Sequence, residues 1–244
     1  MYNRSNRTFS PEWFSQDGGA VIVGLAEYSG AIYNPQGMNV DKVLDYRKEN
    51  GSILNFPGST TMTNPSEVLE MECDILVPAA LENQITNENA PRIKARIIAE
   101  ASNGPMTPGA HDLLKEKGTL IIPDTYLNAG GVTVSYFEWL NNLSHVRFGR
   151  VGSRFEENSS KDLMTAIENM TGKRFSEGEA KRLVHGPEEK ELVNSSLEDT
   201  MAVAYNEIRE TRNYHGKNVD MRTASFIKAI HKIAVSYKEL GIFP

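Results

Sequence analysis

Two asparagines follow neighbouring strand-like runs, in a position where amide side chains can hold a ligand. Asn103 comes after residues 95–100, and Asn128 comes after residues 120–122. An amide offers both donors and acceptors, and ligands of open α/β sheets bind beyond the carboxyl ends of the strands. Each asparagine alone is typical of a turn. The pair at neighbouring strand ends therefore predicts a ligand-binding cleft.

The segment around Asn128 predicts how such a site would be built. A strand-like run leads into the turn Pro123-Asp124, the pair Gly130-Gly131 and an apolar helix. A strand–loop–helix junction exposes amide groups and the positive end of a helix. Ser135 lies seven residues after Asn128, on roughly the same helix face, where it could reach a substrate carboxylate. A lone helical serine otherwise bonds back to its own helix.

Glu27 is a third candidate, because it ends an apolar run at residues 20–27. A carboxylate at the end of the second strand of a dinucleotide fold accepts hydrogen bonds from the adenosine ribose. A solvated carboxylate is the structural alternative. The glycine-rich phosphate loop expected before such a residue does not occur in residues 1–19.

Ala79 and Ala80 follow another buried run, residues 73–78. Small side chains at that position let a flat ring or a phosphate approach the backbone closely. Tight packing is the structural alternative.

Apolar runs that alternate with helical patterns predict an α/β fold with a parallel sheet covered on both faces. Helices are expected from Asn39 or Asp41 to about Asn50, and from Thr107-Pro108 to Gly118, while residues 28–35 are rich in turn formers. Residues 147–189 are polar and charged and predict an insertion outside the main core, with a helix at 161–170. Residues 191–215 and 223–240 predict two closing helices, and residues 1–18 an unstructured leader.

Composition narrows the classes of partner. The chain has 26 basic and 32 acidic residues and a net charge of -6, which argues against nucleic acid or an anionic membrane as the main partner. The apolar runs are too short to cross a bilayer.

The single cysteine, Cys73, cannot form an intrachain disulfide and favours a reducing compartment. The five histidines are dispersed, so we predict no metal site. The leader lacks the apolar stretch of a secretory signal. An organelle transit peptide is the alternative interpretation of these residues.

Together these segments resemble the cofactor-binding domain of glutamate dehydrogenases of the animal or protist type. The resemblance covers about residues 19–243 and runs through residues 73–80, 97–108 and 123–139, and more weakly through 220–224. It implies a Rossmann-like, doubly wound, mostly parallel sheet that misses its first strand, with a helical antenna and C-terminal helices. The implied domains are residues 19–146 with 190–244, interrupted by the antenna at 147–189.

The resemblance implies reversible oxidative deamination of glutamate to 2-oxoglutarate and ammonia, with NAD or NADP as the hydride acceptor. It implies that Ser135 helps to bind the side-chain carboxylate of the substrate. The implied cofactor contacts are Glu27 on the adenosine ribose, Ala79 and Ala80 along the cofactor path, and Asn103 and Asn128 at the nicotinamide end and the reacting centre.

Two departures from the family pattern bear on activity. The substrate domain with its catalytic lysine and aspartate is absent from these residues, so the resemblance assigns no catalytic residue and implies a truncated chain that is inactive alone. The missing glycine-rich loop implies weak NAD binding. In the implied pivot helix, residues 191–215, Asn206 stands where animal enzymes carry the arginine that recognises ADP, so we expect no ADP activation.

The family forms hexamers with contacts between antennae, and the animal type implies the mitochondrial matrix, with the cytoplasm as the alternative. Two other functions stay open. One is a non-catalytic regulatory or interaction subunit that joins the full-length enzyme. The other is an amino-acid dehydrogenase for leucine, phenylalanine or valine. Those enzymes lack an antenna, so residues 147–189 count against it.

Overall fold

A computed structural model describes residues 18–143, 150–176, 178, 180, 189–216 and 219–241. They divide into two compact units. The first comprises the residues up to Ala129 together with those from Tyr205 onward, and the second is Gly130–Ala204. The predicted leader, except Gly18, and parts of the predicted antenna lie outside the described residues. The predicted domain boundaries stay a prediction.

The strands of the first unit form two three-stranded sheets, ordered β1-β2-β3 and β4-β5-β6. In the first sheet the strands are β1 (Gly24–Glu27), β2 (Gly30–Tyr33) and β3 (Thr60–Met62). In the second they are β4 (Ile75–Leu76), β5 (Ile97–Ala99) and β6 (Leu120–Ile122).

The sheet β4-β5-β6 is parallel, as the alternation of strands and helices predicts. Ile75 lies opposite Ile97, and Ile98 lies opposite Ile121. Helix α2 (Pro108–Glu116) connects β5 to β6 and begins at Thr107, whose side chain accepts a hydrogen bond from the Ala110 amide. Apolar residues of these elements form one buried cluster that includes Leu76, Ile85, Ile98, Leu114 and Ile121.

The sheet β1-β2-β3 is antiparallel, so the expectation of parallel pairing is wrong for this part of the chain. Residues 28–35, expected to be turns, contain β2. The turn at Tyr28-Ser29 returns the chain directly, and Gly30 has φ 151°. A Cβ at Gly30 would lie 2.4 Å from the Met62 carbonyl oxygen, so only glycine lets the strands approach this closely. The turn formers obscured the short apolar run that follows them.

Helix α1 (Val40–Asn50) has the bounds that its capping residues predict. The Asn39 side chain accepts a hydrogen bond from the Lys42 amide, and Gly51 ends the helix at φ 76°. Val43 is fully buried in a cluster with Ile32. The helix therefore covers one face of the antiparallel sheet.

The segment after β6 is more helical than expected. A short helix, α3 (Asp124–Leu127), follows β6 directly, and helix α4 (Ala129–Leu143) follows it. Asn128 lies between the two helices, where its backbone N–H donates to the carbonyls of Asp124 and Tyr126. The segment that was expected to be a loop is therefore a helical turn. The backbone N–H of Asn128 takes part in the hydrogen bonds of that turn.

The remaining helices include the predicted ones. Helix α5 (Arg150–Thr171) contains the predicted helix at 161–170 but begins earlier, and α6 (Glu189–His215) matches the predicted helix at 191–215. Helix α7 (Met221–Leu240) belongs to the first unit. Its first turn buries Met221 and Ala224 against Ile208 of α6.

Asp220 attaches the start of α7 to α2. Its side chain caps α7 by accepting a hydrogen bond from the Thr223 amide at 2.7 Å. Its second oxygen lies 3.0 Å from the Lys115 ammonium and 3.2 Å from His111 Nε2. Burial opposes ionisation of Asp220, but these donors together hold its pKa well below the ordinary value.

Arg222 joins α7 to the carboxyl ends of β5 and β6. Its guanidinium pairs with the fully buried Glu100 carboxylate and lies 2.7 Å from Asp124 Oδ1. Glu100 also accepts from the Asp124 amide, and Asp124 accepts from the Gly104 amide, both at 2.8 Å. Burial raises the pKa of Glu100, while Arg222 opposes this rise. The cluster fixes the two loops that follow β5 and β6.

We expect Arg222→Met to destabilise the protein by about 3 kcal/mol, because it leaves the Glu100 carboxylate buried without a countercharge. Arg222 is 27% exposed, which keeps the cost at the lower end for a buried pair. Urea unfolding monitored by circular dichroism measures the loss. Arg209→Met, at an exposed position of α6, is the matched control and should change stability by less than about 0.5 kcal/mol.

A second variant separates charge from packing. Glu100→Gln in the Arg222→Met background should recover part of the lost stability, because a neutral amide needs no countercharge. If Arg222→Met costs no more than the Arg209 control, the ion pair does not stabilise the fold.

We expect acid to destabilise the protein partly through Asp220. The folded-state pKa of Asp220 lies below its unfolded value of about 3.9, so its stabilising contribution is complete above that pH and disappears as the pH falls through the folded-state pKa. Asp220→Asn retains a good N-cap but loses the charge. Its urea midpoint should therefore fall less between about pH 6 and pH 3 than that of the unaltered chain. Equal slopes for the two proteins would contradict this role.

Candidate functional site

The structure brings Asn103 and Asn128 together at the carboxyl ends of β5 and β6. The Asn128 side-chain nitrogen donates a hydrogen bond to the Asn103 side-chain oxygen. Asn103 is exposed and Asn128 is half-buried. Their mutual bond uses one donor of Asn128 and one acceptor position of Asn103, so the Asn103 amide nitrogen and the Asn128 oxygen keep hydrogen-bonding capacity for a ligand.

The loops that carry the two asparagines rest on the cluster of Glu100, Asp124 and Arg222. Gly104, next to Asn103, is held by the Asp124 carboxylate, and Asp124 begins the helix that ends at Asn128. Although burial opposes it, hydrogen bonds from Gly104 and Arg222 lower the pKa of Asp124. Asp124 therefore stays ionised at neutral pH and keeps both loops in place, which pre-organises the amide pair.

Glu27 ends β1, but its carboxylate is already engaged within the chain. Oε1 accepts from Ser29 Oγ at 2.8 Å, Ser52 Oγ at 2.5 Å and the Ile53 amide at 3.1 Å, while Oε2 lies 3.0 Å from Arg47 Nε. Burial opposes ionisation, but these donors lower the pKa of Glu27. A ribose at this carboxylate would have to share or replace the two serine hydroxyls.

Ala79 and Ala80 follow β4, next to the loop that begins after β5. The preceding carbonyl, Pro78 O, accepts from the Ala101 amide at 3.0 Å. Ala79 is buried and Ala80 is half-buried. Tight packing accounts for Ala79 in this conformation, and the cofactor path along these residues stays a prediction.

Ser135 lies on α4 in the second unit. Its hydroxyl donates to the Gly131 carbonyl at 3.0 Å, one helical turn earlier. This is the back-bonded conformation that a helical serine adopts without a ligand. Its predicted contact with a substrate carboxylate stays a prediction.

The sequence analysis missed the residues that position the amide pair. Arg222 is 122 positions from Glu100 in the chain, and no local pattern connects them. The sequence did contain one indication of this cluster, because Glu100 is an acidic residue at the end of an apolar run. A carboxylate that is buried there needs a cation as its partner. That signal predicts a partner but does not identify Arg222 as that partner.

A nicotinamide dinucleotide fits the described residues in part. The amide pair suits the ribose–nicotinamide end, because the ribose hydroxyls and the carboxamide of the nicotinamide can both form hydrogen bonds with side-chain amides. The Glu27 end is less prepared, because four donors already occupy the carboxylate. β1 leads straight into the hairpin to β2 and so supplies no helix N-terminus for a pyrophosphate.

Among the residues that the structure describes, no group of three or more histidine, cysteine, aspartate or glutamate side chains is placed to hold a metal ion. Of the helices that the structure describes, none is long and apolar enough to cross a membrane.

Comparisons with known proteins agree with this fold. Glutamate dehydrogenase from Dictyostelium discoideum, named as mitochondrial, is 48% identical over 96% of this chain and 46% of its own length. The Thermotoga maritima enzyme is 36% identical over 97% of this chain and 46% of its own. The hetero-hexameric glutamate dehydrogenase from Thermus thermophilus, solved with leucine bound, has a TM-score of 0.68 at 23% identity over 94% of this chain and 44% of that one.

The chain thus spans about half the length of the curated relatives it matches. The sequence model of one family matches residues 12–186, well over half of the chain. This match establishes the family. The chain belongs to the Glutamate/Leucine/Phenylalanine/Valine dehydrogenase family.

Proposed function

We propose that this chain is the cofactor-binding portion of a glutamate dehydrogenase, which oxidatively deaminates glutamate to 2-oxoglutarate and ammonia. The observation that carries the proposal is the Asn103–Asn128 pair at the carboxyl edge of the parallel sheet. NAD or NADP, when bound, accepts the hydride that glutamate loses. The relatives at 48% and 36% identity are both glutamate dehydrogenases, which favours glutamate among the family's amino acids.

In this proposal the residues of the chain bind and orient. The Asn103 amide and the Asn128 carbonyl hold the ribose–nicotinamide end, and the Glu100–Asp124–Arg222 cluster keeps them in place. Glu27 exchanges its serine partners for ribose hydroxyls, and its charge disfavours a 2′-phosphate, although both NAD and NADP stay open. Ala79 and Ala80 line the cofactor path, and Ser135 binds the substrate's carboxylate.

The general acid and base would have to come from elsewhere, because the proposal assigns no catalytic residue to this chain. Hydride transfer from an amino acid needs a group that removes a proton and a cation that binds the carboxylate. We therefore propose that the 244 residues alone are inactive. We also propose that they bind NAD weakly, because no glycine-rich phosphate loop occurs in them. We also propose a homo-oligomer, a hexamer as in the family, with the mitochondrial matrix as its location and the cytoplasm as the alternative.

A non-catalytic subunit that joins a complete enzyme is the second candidate. Co-purification with a complete glutamate dehydrogenase would support it. The third candidate, a dehydrogenase for leucine, phenylalanine or valine, would require turnover of those amino acids in preference to glutamate.

We expect the purified chain to give no glutamate-dependent reduction of NAD or NADP, because the resemblance places the catalytic lysine and aspartate in a substrate domain that these residues do not include. Absorbance of the reduced cofactor measures this, with the complete Dictyostelium enzyme as the positive control. Glutamate-dependent turnover by the chain alone would refute the proposal of inactivity. Turnover with leucine, phenylalanine or valine would favour the third candidate.

We expect NAD to bind at the amide pair with a dissociation constant above the low micromolar range. In a nuclear magnetic resonance titration, the side-chain amides of Asn103 and Asn128 should shift, while that of Asn50, which bonds to the Tyr46 carbonyl on α1, should not. Asn128→Ala should weaken binding several-fold, because it removes one of the two ligand groups. Tight calorimetric binding, or shifts that are equal at Asn50, would contradict the assignment.

A further inference from the structure

Asn103 and Gly104 form an asparagine–glycine step in the exposed loop that follows β5. In such a step the backbone nitrogen of the glycine can attack the side-chain carbon of the asparagine, because glycine has no Cβ to hinder the approach. A Cβ placed on Gly104 would meet no atom within 4 Å beyond its chain neighbours. The loop therefore has room for this rearrangement.

The nucleophile of that reaction already donates to a base. The Gly104 N–H donates to Asp124 Oδ2 at 2.8 Å. The other carboxylate oxygen, Oδ1, accepts from the Arg222 guanidinium and the Thr125 amide, which leaves Oδ2 directed at Gly104. An ionised carboxylate is a stronger base than water, and a base held in position accelerates attack. Asp124 can therefore receive the proton that the Gly104 nitrogen must lose.

The electrophile has a hydrogen-bond donor on its oxygen. The Asn128 side-chain nitrogen donates to Asn103 Oδ1. Negative charge develops on that oxygen when a nucleophile adds to Asn103 Cγ, and a donor directed at the oxygen stabilises the charge. The hydrogen bonds from Asn128 and to Asp124 thus assist the two partners of a single addition.

We propose that Asn103 is a spontaneous modification site, where Asp124 and Asn128 of the folded chain promote deamidation. The Gly104 nitrogen bonds to Asn103 Cγ, its proton passes by way of Asp124 to the side-chain nitrogen of Asn103, and the bond from Cγ to that nitrogen breaks with release of ammonia. Water then opens the succinimide ring, at Cγ to give aspartate or at the main-chain carbonyl to give isoaspartate. One water is consumed for each ammonia released, and no atom changes its oxidation state.

Asn50 and Gly51 form the second of the two asparagine–glycine steps in the sequence and provide a comparison within the same chain. Both of these residues are exposed. The Gly51 N–H donates to the Arg47 carbonyl at 2.8 Å, and the Asn50 side-chain nitrogen donates to the Tyr46 carbonyl at 2.9 Å. These bonds hold both reacting groups on the last turn of α1, and a carbonyl is a far weaker base than a carboxylate. We therefore expect folding to protect Asn50.

Deamidation would change the ligand groups at the edge of the sheet. The product at position 103 lacks the amide nitrogen and carries a negative charge close to Asp124. In the isoaspartate product the main chain is also one carbon longer, which moves Gly104 relative to Asp124. The loss of a cofactor-binding group with age rests on the proposed function, whereas the reaction at Asn103 does not.

Peptide mass spectrometry of the complete 244-residue chain tests the proposal. The exchange of an amide for a carboxyl is followed over time at Asn103 and Asn50, in the folded chain and in the chain unfolded in urea. Dividing each folded rate by its unfolded rate removes the effect of the local sequence. The ratio for Asn103 should exceed that for Asn50 by at least about tenfold, since a positioned base contributes about 10²-fold or more in enzymes. A ratio for Asn103 no greater than that for Asn50 would overturn the proposal.

Asn128→Ala separates promotion by the donor from simple exposure of the loop. It removes the donor to Asn103 Oδ1 and should slow deamidation of Asn103 in the folded chain by at least about threefold. The rate at Asn50 in the same sample is the internal control and should not change. An Asn103 rate that is equal to that of the unaltered chain, or faster, would show that the hydrogen bond from Asn128 does not promote the reaction.

Asp124→Asn tests the base. The new amide oxygen can still accept from the Gly104 N–H but is a far weaker base, so Asn103 should react at least about tenfold more slowly. Glu116→Gln, which neutralises an exposed carboxylate at the end of α2, is the charge-matched control and should leave the rate within about twofold. A faster reaction in Asp124→Asn would show that Asp124 protects Asn103 by restraining the loop, and would overturn the proposal.

Discussion

The buried ion pair between Glu100 and Arg222 is the interaction on which the rest of the first unit depends. Glu100 directly follows β5 and is fully buried, where a carboxylate without a cation would be very costly. Arg222 supplies the cation from the first turn of α7 and also binds Asp124 after β6. One guanidinium thus holds a helix and two sheet loops together. The geometry of the amide pair follows from this cluster.

The same arrangement relates stability to function. Asn103 and Asn128 are side chains on loops, and loop side chains bind well only when a rigid scaffold limits their conformations. Here the scaffold is electrostatic: Asp124 accepts from the Gly104 amide while Arg222 compensates its charge. The Glu27 carboxylate, in contrast, is already occupied by donors from its own hairpin and from the segment after α1. The amide pair is therefore better prepared for a ligand than the Glu27 carboxylate.

Local sequence patterns predicted some helix and strand bounds correctly and others not. Asn39 and Gly51 predicted the bounds of α1, and Thr107-Pro108 predicted the start of α2, because caps act within one turn of the helix. β2 was missed, because its turn formers dominate residues 28–35 and pairing with β3 decides the conformation. Asn128 was expected in a loop, but Asp124 starts a helix immediately after β6.

By itself, the sequence determined the family, the parallel β4-β5-β6 sheet and the two asparagines at its carboxyl edge. Those features depend on residue types in short segments, which a single chain displays directly. Only the tertiary structure decided that Arg222 neutralises Glu100, that β1 pairs in an antiparallel hairpin, and that Asp124 accepts from the Gly104 amide. These are contacts between distant segments, and their partners are selected by burial and strand pairing rather than by any local pattern.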